Sequence, residues 1–313
     1  MSLRKRRSVK RHWAVRMLRG LTIGIAVFML AFAGLVTAWL HGVRIPIASG
    51  KTLIKVQKLS TANYEGEPSG TQFILLIGSD LRPGVGGSRG DALHILAVNP
   101  HLKKGTILNI PRDTCAPIPG YGTTKINAAN AYGGPTLQAQ VIDNMLGIHL
   151  TYSVLLDFAG FGALVNAVGG VTIQVTSTMN DHNSGAYFVP GPYHVNGGGA
   201  LAYSRDRDDF ARGDITRTFN QASLILDAMS QLRQRANTPA GAFQLLALLG
   251  RNATVTGASL TDLYRLGRLA HSVNPANIRN YTIPVGSGQC LPLLSGASAA
   301  FADFADDGVL ESH

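Results

Sequence analysis

Charge is what this chain is short of. Asp, Glu, Lys and Arg make up 15% of its 313 residues, against 45% hydrophobic residues. That balance leaves enough to bury for one large domain or two ordinary ones. Together with a positive mean hydropathy, it points to a membrane segment. Cysteine is scarce too, with only Cys115 and Cys290. Neither C-x-x-C nor H-E-x-x-H occurs, which excludes the common zinc motifs. No repeat of solenoid period appears, so the chain is not a stacked array.

The formal charge of +10 would suit a nucleic-acid binder until it is located. Residues 1–20 hold Arg4, Lys5, Arg6, Arg7, Lys10, Arg11, Arg16 and Arg19 and no acid. The rest of the chain then carries 20 basic against 18 acidic residues and is nearly neutral. Residues 21–40, LTIGIAVFMLAFAGLVTAWL, contain no charge. About 20 apolar residues in a helix cross a hydrocarbon core of roughly 30 Å. A cleavable signal peptide usually has an apolar region of about 7–15 residues, so an uncleaved anchor closed by Trp39 is the preferred reading. The basic tail then stays in the cytoplasm and everything after His41 lies outside. A twenty-residue tail without a recognition-helix pattern argues against DNA as its partner. Outside the cytoplasm, Cys115 and Cys290 are either bridged, closing a loop of about 175 residues, or two free thiols.

Residues 41–70 read as a juxtamembrane linker and 71–313 as one extracytoplasmic domain. The apolar run 73–78 is patterned as a strand buried on both faces. Further strands are expected at 92–98, 106–110, 152–157 and 171–175. Helices are expected from Pro135 to Gly147 and over 158–168, 218–234, 240–249, 260–271 and 298–306. The alternation predicts an α/β fold, a layered α-β-α domain with a central mixed sheet flanked by helices, preceded by one transmembrane helix.

Three loops at strand ends concentrate the polar residues. GSDLRPGVGGSRGDALHI carries Asp80, Arg82, Arg89 and Asp91. It is no Walker loop, because no G-K-[ST] follows. NIPRDTCAPIPGYGTTKINAANAYGG carries Arg112, Asp113 and Lys125. YSRDRDDFARGDITRTFNQ interleaves Arg205, Arg207, Arg212 and Arg217 with Asp206, Asp208, Asp209 and Asp214, before Gln221. An isolated Arg/Asp run is ordinarily a self-paired, solvated surface. Three such loops at strand ends, where α/β sheets bind ligands, point instead to an anion. A pyrophosphate diester suits the planar fork of arginine. Its oxygens also attract Mg²⁺, which takes one or two protein carboxylates, here Asp80 and Asp91.

Residues 73–221 closely resemble the LytR-CpsA-Psr family of cell-wall glycopolymer ligases. The resemblance rests on GSD-x-R, IPRDT, IPGYG, KINAA-x-AYGG, LLDFAGF-x-x-LVNAVGGV and LAYSRDR followed by GD-x-x-R. It implies a phosphotransferase that moves a glycan from a polyprenyl-pyrophosphate-linked carrier to a peptidoglycan acceptor, releasing polyprenyl phosphate. It further implies Asp80 and Asp91 as Mg²⁺ ligands (Mn²⁺ as a substitute). Arg89, Arg112, Arg205, Arg207, Arg217 and Gln221 match the pyrophosphate-binding residues, with Arg89, Asp91 and Arg112 as catalytic residues. The expected location is the cell membrane, single-pass. Two positions depart from the family: Gly90 within R-G-D, and Asn220 where an arginine is frequent. The Gly- and Ala-rich, Lys-poor composition points to an actinobacterial source and a neutral polysaccharide. A pyrophosphatase without transfer, or a membrane-bound regulator of envelope genes, are the competing classes. Leu224, Ile225, Ala228, Met229 and Leu232 are expected either to line a lipid tunnel or simply to pack the core.

Overall fold

The computed structural model describes residues 54–59, 70–79, 88–237, 253–257, 262, 266, 269–270 and 272–311. The tail expected at 1–20, the membrane helix expected at 21–40 and the helix expected at 240–249 lie outside them. Among the described residues no helix is long and apolar enough to cross a membrane.

The chain runs through β1 (Ile54–Lys58), β2 (Gln72–Ser79), β3 (Gly90–Asn99) and β4 (Lys104–Ile110), then the hairpin β5 (Cys115–Ile118) and β6 (Gly122–Lys125). Next come α1 (Ala128–Leu146), β7 (Leu150–Asp157), α2 (Phe158–Ala167), β8 (Val171–Val175), β9 (Met179–Asp181), β10 (Ala186–Phe188) and β11 (Gly191–Val195). After them follow α3 (Gly197–Arg205), α4 (Gly213–Ala236), β12 (Ala253–Thr256), β13 (Ile278–Thr282) and α5 (Ala297–Asp307).

Seven strands form one mixed sheet in the order β12-β1-β7-β2-β3-β4-β13. Side chains alternate across it. Phe73, Leu75 and Ile77 of β2 share one face with Leu93, Ile95, Leu108 and Ile110, and pack on Val141 and Ile142 of α1 and Phe301 and Phe304 of α5. Ile74, Leu96, Val98 and Ile107 face the other way, against Ala222, Ile225 and Met229 of α4. Helices on both faces explain why β2 and β3 read as continuous apolar runs. The layered α-β-α architecture is the one expected. A separate apolar cluster joins α2 and α3 to the short ribbons β8–β11 and β9–β10, and Leu224, Ala228 and Leu232 of α4 pack there. The five residues considered for a lipid tunnel are therefore divided between two packed clusters.

Two boundaries differ from the sequence reading. The linker assigned to 41–70 contains β1, which pairs with β12 on one side and β7 on the other. Ile54 is buried in it and Lys58 Nζ sits 2.9 Å from Asp262. Lys55 and Lys58 made a strand look like a solvated tether. The helix placed at Pro135 begins at Ala128, because the helical path breaks at Gly133 and Gly134 and Pro135 opens its second part. Cys115 and Cys290 are bridged, with Cα atoms 5.2 Å apart. Backbone bonds from Cys115 N to Leu291 O and from Leu291 N to Asp113 O flank the bridge.

Candidate functional site

A cleft of about 240 Å³ opens where β2, β4 and β7 end and β3 begins. Asp91 at the start of β3, Arg112 after β4 and Phe158 after β7 line it. β4 ends at Ile110, so Arg112 projects two residues beyond the sheet. β3 starts at Gly90 and places Asp91 beside it. Arg112 Nη1 donates to Asp91 Oδ1 at 2.7 Å. Arg112 Nε lies 3.5 Å from Asp214 Oδ1, and Arg217 Nη2 lies 2.6 Å from the same oxygen. Arg217 Nη2 also donates to the Asp91 carbonyl. One carboxylate oxygen thus holds two guanidinium groups side by side, turned to the cleft that both line.

Burial opposes the charge on Arg112, but Asp214, Asp91 and Asp113 outweigh it and raise its pKa above the ordinary arginine value. For Arg217 burial wins, seconded by Arg112, and its pKa is lowered despite Asp214. Removing Arg217 leaves the buried Asp214 oxygens with Arg112 alone, at 3.5 Å, an incompletely compensated charge. Arg217→Ala is therefore expected to destabilise the fold by about 3 kcal/mol, and adding Asp214→Asn should restore part of that loss. Urea denaturation of the single and double variants tests this. A loss below about 1 kcal/mol, the value of an exposed pair, would contradict it.

Arg205 ends α3, with its guanidinium 5.8 Å from the centre of the Phe158 ring. Phe158 opens α2, whose cap Asp157 accepts from Gly160 N. Gln221, on α4, donates from Nε2 to the Ser204 carbonyl at 2.9 Å. Arg207 pairs with its neighbour Asp208 at 3.2 Å, the self-pairing expected of a surface run. Asp206 is the opposite case. Its side chain is buried, and desolvation, seconded by Asp209, pushes its pKa up to about 6.

Asp91, Arg112, Arg205, Arg207, Arg217 and Gln221 line this one cleft. One assigned residue among those described is not among the lining residues. Arg89 is exposed and is not among the lining residues; it leaves the strand end on the solvent side, one residue before the chain turns in at Gly90. Asp80 lies outside the described residues. The departure at Asn220 falls on a buried position outside the cleft lining. Asp214 was not assigned, although its i,i+3 spacing to Arg217 on a helix was a readable signal. Asp181, Asn183 and Ser184 also line the cleft. Their D-x-N-S run forms a turn in which Asp181 accepts from the backbone N–H of Asn183 and Ser184. Among the described residues no group of three or more His, Cys, Asp or Glu is placed to hold a metal ion.

His94 left no signal, being embedded in the apolar run of β3. Asn280 Nδ2 donates to Phe219 O and Ser223 Oγ, so its Oδ1 accepts from Asn109 Nδ2. Asn109 therefore turns Oδ1 toward His94 Nδ1, 2.8 Å away, which assigns the proton to Nδ1. Nε2 is buried with no hydrogen bond. Burial lowers the pKa of His94 to about 4; the hydrogen bond to Asn109 works against it and Arg217 works with it. A histidine depressed in the folded state stabilises above its unfolded pKa, and that stability is lost as pH falls from about 6.5 to about 4. The contribution is about 3 kcal/mol. Asp143 and Asp206, both pushed up to about 6, act in the opposite sense over that range. The wild-type curve is thereby flattened, so a comparison is needed. His94→Asn keeps a donor toward Asn109, and its stability deficit relative to wild type should shrink between pH 7 and pH 4.5. A deficit independent of pH would contradict a neutral buried imidazole.

The sequence pattern of the LytR_cpsA_psr family matches residues 37–299. The polyisoprenyl-teichoic acid–peptidoglycan teichoic acid transferase TagU of Oceanobacillus iheyensis is 34% identical over 186 residues, and the match covers 57% of each chain. The match thus spans little more than half that relative's length. A LytR-Csp2A-Psr enzyme from Actinomyces oris has a similar fold, with a TM-score of 0.65 at 23% identity, over 79% of this chain and 93% of that one. The structure titled LytR-CPS2A-psr family protein YwtF (TagT) with bound octaprenyl pyrophosphate lipid is similar as well. Its TM-score is 0.59 at 21% identity, over 80% of this chain and 97% of the other.

Proposed function

The chain belongs to the LytR_cpsA_psr family, and from that premise we propose that it transfers a glycopolymer from a polyprenyl-pyrophosphate carrier to peptidoglycan. A hydroxyl oxygen of the acceptor attacks the phosphorus nearer the glycan, and the bond from that phosphorus to the bridging oxygen breaks. The products are a phosphodiester-linked glycan and polyprenyl phosphate, and the hydroxyl proton passes to a base. The observation that carries this reading is the convergence of Arg112 and Arg217 on the buried carboxylate oxygens of Asp214, with Arg112, Arg217, Arg205 and Arg207 all lining the same cleft. Fixed guanidinium groups stabilise charge on the non-bridging and leaving oxygens of a transferring phosphoryl group. The relative named as a teichoic acid transferase and the similar structure bearing octaprenyl pyrophosphate support the substrate class.

Asp113 is not positioned as the base, since Lys125 Nζ holds it at 3.1 Å and it does not line the cleft. Asp91 does line it, bonded to Arg112. Magnesium bound to a substrate phosphate uses one or two carboxylates and keeps several waters, and Asp91 in the cleft can supply one of them. Asp91, with Asp80, would hold Mg²⁺ or Mn²⁺, which would neutralise charge on the phosphate oxygens.

The basic tail at 1–20 and the uncharged apolar stretch at 21–40 support a single-pass location in the cell membrane, with the cleft on the outer side. Release of polyprenyl phosphate, measured with and without peptidoglycan, tests the reading. Release that requires the acceptor is transfer. Equal release without acceptor would make the protein a pyrophosphatase, and none in either case would favour a regulator.

A further inference from the structure

Two tyrosines beside this cleft have no role in holding pyrophosphate. Tyr121 and Tyr132 stack with ring centroids 4.2 Å apart and planes within 12°. They are 54% and 48% exposed, among the most exposed large side chains of the described residues. Tyr121 sits at the tip of the β5–β6 hairpin between Gly120 and Gly122, whose φ angles of 81° and 75° suit glycine. Tyr132 ends the first part of α1, just before the break at Gly133 and Gly134. A side chain added at Gly120, Gly122 or Gly134 would meet nothing within 4 Å. The backbone flanking both rings is therefore open on its own surface.

Its supports are those of the cleft. Asn127 N donates to Arg112 O, and Gly90 N donates to Asn127 O. One turn on, Asn130 Nδ2 donates to Ser88 O. The hairpin's base is pinned by the Cys115–Cys290 bridge. Lys125 is the sole charged residue between 114 and 142, and Asp113 neutralises it.

We propose that Tyr121 and Tyr132 form a stacking platform for a sugar ring of the peptidoglycan acceptor strand; this rests on the transfer reading above. Aromatic faces pack against the apolar face of a pyranose, and segments whose one charged residue is paired suit a neutral glycan better than a phospholipid headgroup or nucleic acid. The acceptor is favoured over the donor by position. Neither tyrosine lines the cleft, where the donor's own phosphates fix its first sugar, whereas the acceptor has to present its hydroxyl from outside.

The test uses full-length protein in detergent and soluble, uncrosslinked peptidoglycan strands. Both rings are exposed, so Tyr121→Ala/Tyr132→Ala should melt at the wild-type temperature. The double variant should weaken strand binding, and raise the acceptor KM, on the order of tenfold. Its KM for the lipid donor should be unchanged and its kcat at saturating acceptor little altered. Tyr121→Phe/Tyr132→Phe, which keeps the rings, should bind as wild type does. Unchanged strand affinity in the alanine variant would overturn the platform, and a raised donor KM would reassign it to the donor glycan. Tyrosine-dependent strand binding by a wild-type protein that transfers nothing would sink the transfer reading and leave the platform standing.

Discussion

Arg112→Ala is expected to slow glycan transfer by about 10²- to 10³-fold, the usual consequence of removing one fixed donor from a site where charge develops. Among the described residues of the cleft, Arg112 alone is ion-paired to the side-chain carboxylates of both Asp91 and Asp214, at 2.7 and 3.5 Å. Its removal takes away a cation that would meet the pyrophosphate. It also leaves Asp91 without its ion pair beside an incoming anion. Arg112→Lys separates these effects, because it keeps the charge but cannot reach both carboxylates with one planar fork. It should fall between wild type and alanine. Both are read as kcat/KM for the lipid substrate under saturating acceptor. An alanine variant within about tenfold of wild type would contradict a role at the reacting phosphorus.

Loss of the disulfide should have the largest effect on stability. The bridge joins residues 175 apart, and closing a loop of that length stabilises by about 5 kcal/mol in the chain-entropy account. In a domain of this size that is roughly 10–20 °C in Tm. Cys115→Ala/Cys290→Ala and the reduced wild-type protein should show similar losses in thermal and urea unfolding. Activity should fall too, because β5 begins three residues after Arg112 and the bridged 290–291 segment bonds to the Asp113 carbonyl. A Tm change of only a few degrees would mean that backbone bonds to Leu291 suffice.

The central strands were legible because each is an apolar run covered on both faces, and a run of that kind admits few other readings. β1 was not, since its lysines sit at the exposed edge of the pattern and at an ion pair with Asp262. The helix start at Ala128 was hidden by Pro135, which does open a helical segment, but the second of two. Of the six assigned residues that converge, Asp91 and Arg112 do so because strand ends have fixed destinations in a layered sheet. Arg205, Arg207, Arg217 and Gln221 come instead from the end of α3, the loop after it and α4, not from the strand-end loop expected. What was not legible depends on tertiary folding. Arg89, two residues before Asp91, is exposed and outside the cleft lining. Asp181, Asn183 and Ser184 reach the cleft only through the β9–β10 ribbon. His94 looks like any interior strand position, and its bonds to Asn109 and, through it, Asn280 connect segments that no local pattern links.

The most direct measurement is the product itself. Full-length protein would be incubated with a defined polyprenyl-pyrophosphate-linked glycan and peptidoglycan, the wall digested with muramidase, and the fragments analysed by mass spectrometry. Transfer predicts a muramyl sugar joined to the glycan through one phosphodiester, with polyprenyl phosphate released in equal amount. Free glycan phosphate with unmodified peptidoglycan would contradict it.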